Sequence, residues 1–254
     1  MAPDFDPVAH NRDAWDKLVA DGNEWTQPVS SEVIERARQG EWSVVLVGYN
    51  PVPKEWFPAD LGDVDLLALA SGGGQQAPVL AAAGANVTIF DNSPAQLAQD
   101  RAVANRDGLD LRTDQGDMRD LSRYSDSSFD LVFHPVSNLF CPELRPVWHE
   151  CHRVLRPGGS LLAGFLNPDV FIFDFEAENE RGELIVANTI PVTYSVGVAK
   201  GEPVEYSHTM TEQIGGQLEA GFVITHFAEA RDHPSPTGKY MPYYYATRAI
   251  KPLD

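Results

Sequence analysis

The chain has little positive charge, little cysteine and no long apolar run, and each shortage removes a class of function. Its 254 residues carry 19 lysines and arginines against 37 acids, a formal net charge of −18. Nucleic acid and anionic membranes both require a basic face, so neither is an expected partner. An acidic, self-repelling surface accounts for the excess without any function. Only two cysteines occur, Cys141 and Cys151, within and beside one predicted helix. Without clustered histidines they form no zinc pattern, so no metal is expected, and both read as reduced thiols. No stretch is apolar for long enough to cross a bilayer, and the start, MAPDFDPVAHNRDAW, is acidic rather than signal-like. A cytoplasmic protein is the expectation. Repeats and low-complexity tracts are also missing.

What is present is concentrated in residues 66–91, LLALASGGGQQAPVLAAAGANVTIFD. Residues 66–69 form the short apolar run that a strand buried on both faces needs. Gly72, Gly73 and Gly74 then allow a sharp turn and close approach to a ligand. A helix from about Gln75 would aim its free amides at that ligand. A second strand at 86–91 ends in Asp91, an acceptor suited to two ribose hydroxyls. The segment predicts a nucleoside-containing ligand.

From residue 64 onward strand and helix alternate. Strands are expected at 64–70, 86–91, 109–114, 128–134, 159–166, 222–229 and 243–250, and helices at 75–84, 94–107, 143–155 and 210–220. Such alternation predicts an α/β fold with right-handed crossovers and ligands beyond the carboxyl ends of the strands. Residues 1–60 read as an N-terminal helical cap with helices at 13–20 and 31–39 and a short strand at 43–47. In it Asn11, Arg12, Trp15 and Trp25 are candidate lid residues. Residues 61–254 form the main domain, interrupted at about 168–207. There the alternating Phe171, Phe173 and Phe175, followed by two β-rich stretches, predict short strands and a hairpin. The tyrosines at 243–245 read as half-buried residues of the last strand.

Two nucleotides fit the glycine turn. Residues 72–77, GGGQQA, satisfy the G-x-G-x-x-[GA] fingerprint of dinucleotide folds, and Asp91 lies near the distance of their ribose acid. A nicotinamide-linked oxidoreductase is one reading. For the other, LALASGGGQ, QGDMRDL with DSSFDLVFHP, and ECHRVLRPGGSLLAGF together resemble three segments of the class I S-adenosylmethionine-dependent methyltransferases. The resemblance covers about residues 60–166. It implies a three-layer, Rossmann-like doubly wound sheet of seven strands, mostly parallel with an antiparallel last strand. It further implies methyl transfer from S-adenosylmethionine to a small-molecule acceptor.

The same resemblance carries over site residues. Ala70, Gly72 and Gly74 take the three glycine places of the family's first motif, with Ser71 and Gln75 beside them. Asp91 is implied at the ribose, Asn92, Ser93 and Gln96 around the adenosine, and Gly116, Asp117 and Met118 at the adenine. His134 and Val136 are implied on the methionine side, and Trp15, Trp25, His134 and Asn138 toward the acceptor. No catalytic group is assigned, although His134 is the candidate base for a hydroxyl or carboxylic acid acceptor. The family's first-strand acid is replaced by Ala68, which leaves the cofactor's ammonium to another group and keeps open a non-catalytic binding module.

Overall fold

The structure, a computed structural model, describes residues 5–195 and 197–253. The first half runs α1 (Pro7–Ala20), α2 (Ser31–Arg38), β1 (Asp65–Leu69), α3 (Gln76–Ala82), β2 (Asn86–Asp91), α4 (Pro94–Asp107), β3 (Leu111–Gln115) and β4 (Phe129–His134). Then come α5 (Arg145–Val154), β5 (Leu155–Leu166), α6 (Phe175–Arg181), β6 (Thr193–Tyr194), β7 (Glu205–Tyr206), α7 (Gly216–Glu219), β8 (Val223–Ala230) and β9 (Tyr244–Ile250). Seven strands form one sheet in the order β3-β2-β1-β4-β5-β9-β8. All neighbours are parallel except those of β9, which runs antiparallel to both β5 and β8.

The central strands are apolar on both faces because each face has its own core. Leu66, Ala68, Leu131, Phe133 and Leu162 join the cluster under α2 and α3. Their alternates Leu67, Leu69, Val132, Leu161 and Ala163 join the cluster beneath Trp148 and Cys151 of α5. Ile34, Ala37, Trp56 and Phe57 pack into the first cluster, so the N-terminal segment is part of the sheet's own core.

Several local expectations need correction. Helix α1 starts six residues earlier than predicted, because Asp6 caps the amides of Val8 and Ala9 and Pro7 sits at the first turn. Residues 43–47 form no strand; only a Val45–Pro51 bridge occurs. The alternating phenylalanines are not a strand either. Phe171 lies in a 3-10 turn at Pro168–Ile172 and Phe175 opens α6, with Asp174 capping it. The predicted hairpin is present as β6 and β7. The helix expected at 210–220 is a π-helical turn, Thr211–Gly215, followed by α7.

Candidate active site

Beyond the carboxyl ends of β1, β2 and β4 lies a cavity of about 720 Å³. Its floor is the turn after β1. Ala70 takes a left-handed φ of 47°, with Gly73 at 111° and Gly74 at 73°, conformations that side chains other than glycine's resist. Space is as restrictive as backbone angle. A Cβ on Gly72 would lie 2.7 Å from Gln96 Cβ and 3.1 Å from Asp91 Oδ2.

Two acids hold this turn, the half-buried Asp91 and the fully buried Asp100. Asp91 Oδ2 accepts from the Gly72 amide at 3.0 Å and its Oδ1 from Ser93 at 2.9 Å. Asp100, on α4, accepts from Gly73 at 3.0 Å and from Gly74 at 3.0 Å. Burial pushes both carboxyls above their usual range, Asp100 well above it, with the Asp91 charge adding to the rise at Asp100. Their backbone donors act in the opposite sense. Sequence reading missed Asp100, although a signal existed: it lies on the buried stripe of α4 with Gln96, Leu97, Val103 and Ala104. An acid on an apolar helical stripe calls for a buried partner. The bonds have a functional consequence. A pyrophosphate would need free amides at this turn, and three of them already serve the chain's own Asp91 and Asp100.

Most of the sequence-named residues meet at the cavity. Ala70, Ser71, Gly72 and Gln75 line it from the turn, and Asp91, Asn92, Ser93 and Gln96 from the tip of β2 and the start of α4. Gly116, Asp117 and Met118 close it after β3, and Val136 after β4. Asp117 is held by Arg119, whose guanidinium donates to both its oxygens at 2.7–3.2 Å. Trp15 and Trp25 also line the cavity. Trp15 packs edge-on to Phe140 at 5.1 Å, and Trp25 sits 5.4 Å from the Tyr49 ring.

Three residues do not reach it. Gly74 lies on the far side of the turn, committed to Asp100 and, through its carbonyl, to the Val29 amide. His134 is 0% exposed and makes no part of the wall. Its Nδ1 is 2.9 Å from the Leu69 carbonyl and its Nε2 2.6 Å from Asn138 Oδ1, and burial lowers its pKa. Asn138 is equally buried and donates to Gln213 Oε1. The expectations of a cofactor contact and a base at His134, and of an acceptor contact at Asn138, are thus corrected. Both side chains turn into the core to satisfy each other.

The roof comes from the two segments that break the strand-helix rhythm. Asn11 of α1 donates to the carbonyls of Phe140 and Val204 and accepts from the Val204 amide, so one buried amide ties α1 to the insertion. Asp16 accepts from Ser93 Oγ and, at 3.1 Å, from the Ala95 amide, which caps α4 from outside the helix. Phe175, Tyr194, Glu202 and Glu205 of the insertion, with Tyr243 and Tyr244, complete the wall. Cys141 lines it too, but burial pushes its thiol up to about 12, and Cys151 is raised likewise. Neither is a nucleophile at neutral pH.

The wall fits an adenosyl ligand in a way that an empty core would not. Ser71 Oγ and Gln96 Oε1, on residues 5% and 6% exposed, have no hydrogen-bond partner. Buried polar atoms are rarely left so, and a bound group with hydroxyls and amines would complete them.

Such a turn, acid pair and switch-point cavity define a methyltransferase, and comparison with known proteins agrees. A family model described as a methyltransferase domain matches residues 67–163. The uncharacterized methyltransferase YbaJ of Bacillus subtilis is 47% identical over 96% of this chain and 98% of its own length. A sterol 24-C-methyltransferase of Neurospora crassa is 26% identical over 76% of this chain and 48% of its own. Among solved structures, an S-adenosylmethionine-dependent methyltransferase from Mesorhizobium loti shares the fold with a TM-score of 0.63, covering 78% of this chain and 94% of that one at 19% identity. The chain belongs to the S-adenosylmethionine-dependent methyltransferases. The nicotinamide reading of the glycine turn is overturned.

Proposed function

We propose that this enzyme methylates a small molecule held between the glycine turn and the roof formed by residues 1–60 and 168–207. The observation that carries this reading is one cavity lined both by the family's donor-side residues and by the insertion's side chains. Asp91 is the acceptor for the ribose hydroxyls and Asp117 for the adenine amine, with Met118 beside it. Ser71 and Gln96 supply the polar atoms that lack partners in the folded chain. Ala68 is buried in the apolar core beneath the sheet, so the donor's ammonium is held by side chains other than that of the first strand.

When bound there, S-adenosylmethionine supplies a methyl group activated by its sulfonium and displaced in line. The chain's task is then alignment and exclusion of water, and alignment alone can lower a barrier by about 7–11 kcal/mol. Trp15 against Phe140, and Trp25 against Tyr49, cover the cavity on the N-terminal side. The charge balance of −18 supports a small acceptor over nucleic acid, and the free cysteines Cys141 and Cys151 support a cytoplasmic setting. No helix among the described residues is long and apolar enough to cross a membrane.

The test is transfer of a labelled methyl group from S-adenosylmethionine into size-fractionated cell extract. Label is expected in the fraction below about 1 kDa, within the range a pocket of this volume can enclose. Label carried by protein or nucleic acid overturns the small-molecule reading.

A further inference from the structure

The insertion's half of the cavity carries a chemistry that the methyl donor does not explain. Tyr194 of β6 and Glu205 of β7 stand directly opposite each other in the hairpin ladder, and both line the cavity. Opposed side chains of an antiparallel pair share one face. Tyr243 and Tyr244, each 7% exposed, line the same cavity, and their hydroxyls have no hydrogen-bond partner among the described residues. Glu205, Tyr194 and Tyr243 thus line one cavity, and one face of the Tyr243 ring is stacked on His233 at 3.8 Å.

The electrostatics point one way. Glu176, Glu180, Glu202 and Glu205 line this half, and none forms an ion pair with a base among the described residues. Glu205 is half-buried and the other three are exposed. Of the cationic residue types in the wall, Arg12 is paired with Asp13 at 2.9 Å. Lys200 is exposed, and burial favours the neutral ring of His233. A half-buried carboxylate with no cation beside it is costly to keep charged, and tyrosine rings in the same wall attract positive charge.

We propose that the acceptor is a small amine, bound as its ammonium ion by Glu205 between the Tyr194 and Tyr243 rings; the proposal rests on the methyltransferase reading above. A carboxylate ligand would meet four like charges. An alcohol would leave Glu205 without compensation. Glu205 also completes the proton balance. The ammonium N–H bond breaks, its electron pair stays on nitrogen as the lone pair the acceptor needs, and the proton forms an O–H bond on the carboxylate. Burial, and next the charge of Glu202, raise the Glu205 pKa to about 7, a value suited to both holding and taking the proton. Tyr194 stands opposite Glu205 in the hairpin, and Tyr243, Glu176 and Glu202 line the same cavity.

The test is calorimetry on the full chain, first with S-adenosylhomocysteine, then on that complex with two matched sets, butyl and 2-phenylethyl, each as amine, alcohol and carboxylate. At pH 8 an amine is expected to bind at least tenfold more tightly than its alcohol or carboxylate. Alkyl amines stay charged across neutral pH, so a fall in that preference between pH 8 and pH 6 reports protonation of Glu205. Glu205→Gln should abolish the preference and Glu205→Asp retain it, both with unchanged S-adenosylhomocysteine affinity. Equal or better binding of alcohol or carboxylate, no binding by either amine, or a preference that survives in Glu205→Gln overturns the proposal. So does a tenfold loss of S-adenosylhomocysteine affinity in that variant, which would give the carboxylate to the donor. Failure of wild-type protein to bind S-adenosylhomocysteine at all would instead remove the reading beneath it.

Discussion

Asp100 Oδ1 accepts a hydrogen bond from the Gly74 amide at 3.0 Å, joining the middle of α4 to the turn after β1. Its other oxygen takes Gly73, so the turn is held from beneath by a side chain that never meets the ligand cavity. The glycines supply freedom, and Asp100 removes it again in one chosen shape.

Asp100→Asn should therefore act on both stability and donor binding. One of the two amides loses its acceptor, at a cost of about 1–3 kcal/mol. Urea denaturation measures that loss, and calorimetry should show S-adenosylhomocysteine binding weakened along with it. A variant as stable as wild type would mean that the turn holds its shape unaided.

Asp16→Ala should loosen the N-terminal helix from the donor side. Its carboxylate caps α4 through Ser93 and Ala95, and loss of a cap costs about 1 kcal/mol. Amide exchange within residues 7–20 is expected to quicken more than exchange in β1 or β4.

His134→Gln should disturb folding rather than catalysis. The imidazole bonds Leu69 and Asn138 in the core, so loss of both contacts lowers Tm by roughly 4–8 °C for about 2 kcal/mol. The inflections of the pH–rate profile should stay where they are. An inflection that vanishes with His134 would restore it as a base.

Glu205→Gln should change how stability depends on pH. The folded carboxyl titrates near 7, above the ordinary 4.5. Between these values the native chain holds a proton that the unfolded chain has released. Its stabilising contribution is full below 4.5 and lost as pH rises through 7. Relative to wild type, the glutamine variant should gain on the order of 1–3 kcal/mol between pH 5 and pH 8. Asp91 and Asp100 shift in the same direction but are common to both proteins. A difference that is constant with pH would contradict the raised Glu205 carboxyl.

The sheet was legible because its signals are local. A two-sided strand, a glycine turn and an acid at a strand tip occupy 26 consecutive residues, and β1, α3 and β2 fall where that pattern predicts. Most residues named for the donor side line one cavity for the same reason, since they follow strand ends. His134 was misread because position at a strand end says nothing of rotamer, and its partner Asn138 is recognisable only once the 3-10 turn at Asn138–Phe140 is folded. The acceptor side was not legible. Tyr194 and Glu205 meet only through hairpin register, and Tyr243 joins them from near the other end of the domain. Long-range contacts of this kind leave no periodicity to read.

Calorimetric titration with S-adenosylhomocysteine tests the central claim, that the glycine turn and the acids after β2 and β3 hold an adenosyl donor. Wild-type protein is expected to bind one equivalent, with affinity at least tenfold weaker in Asp91→Ala and in Asp117→Ala, and to give no heat with NADH. Undiminished affinity in both variants, or binding of NADH in place of S-adenosylhomocysteine, would contradict it.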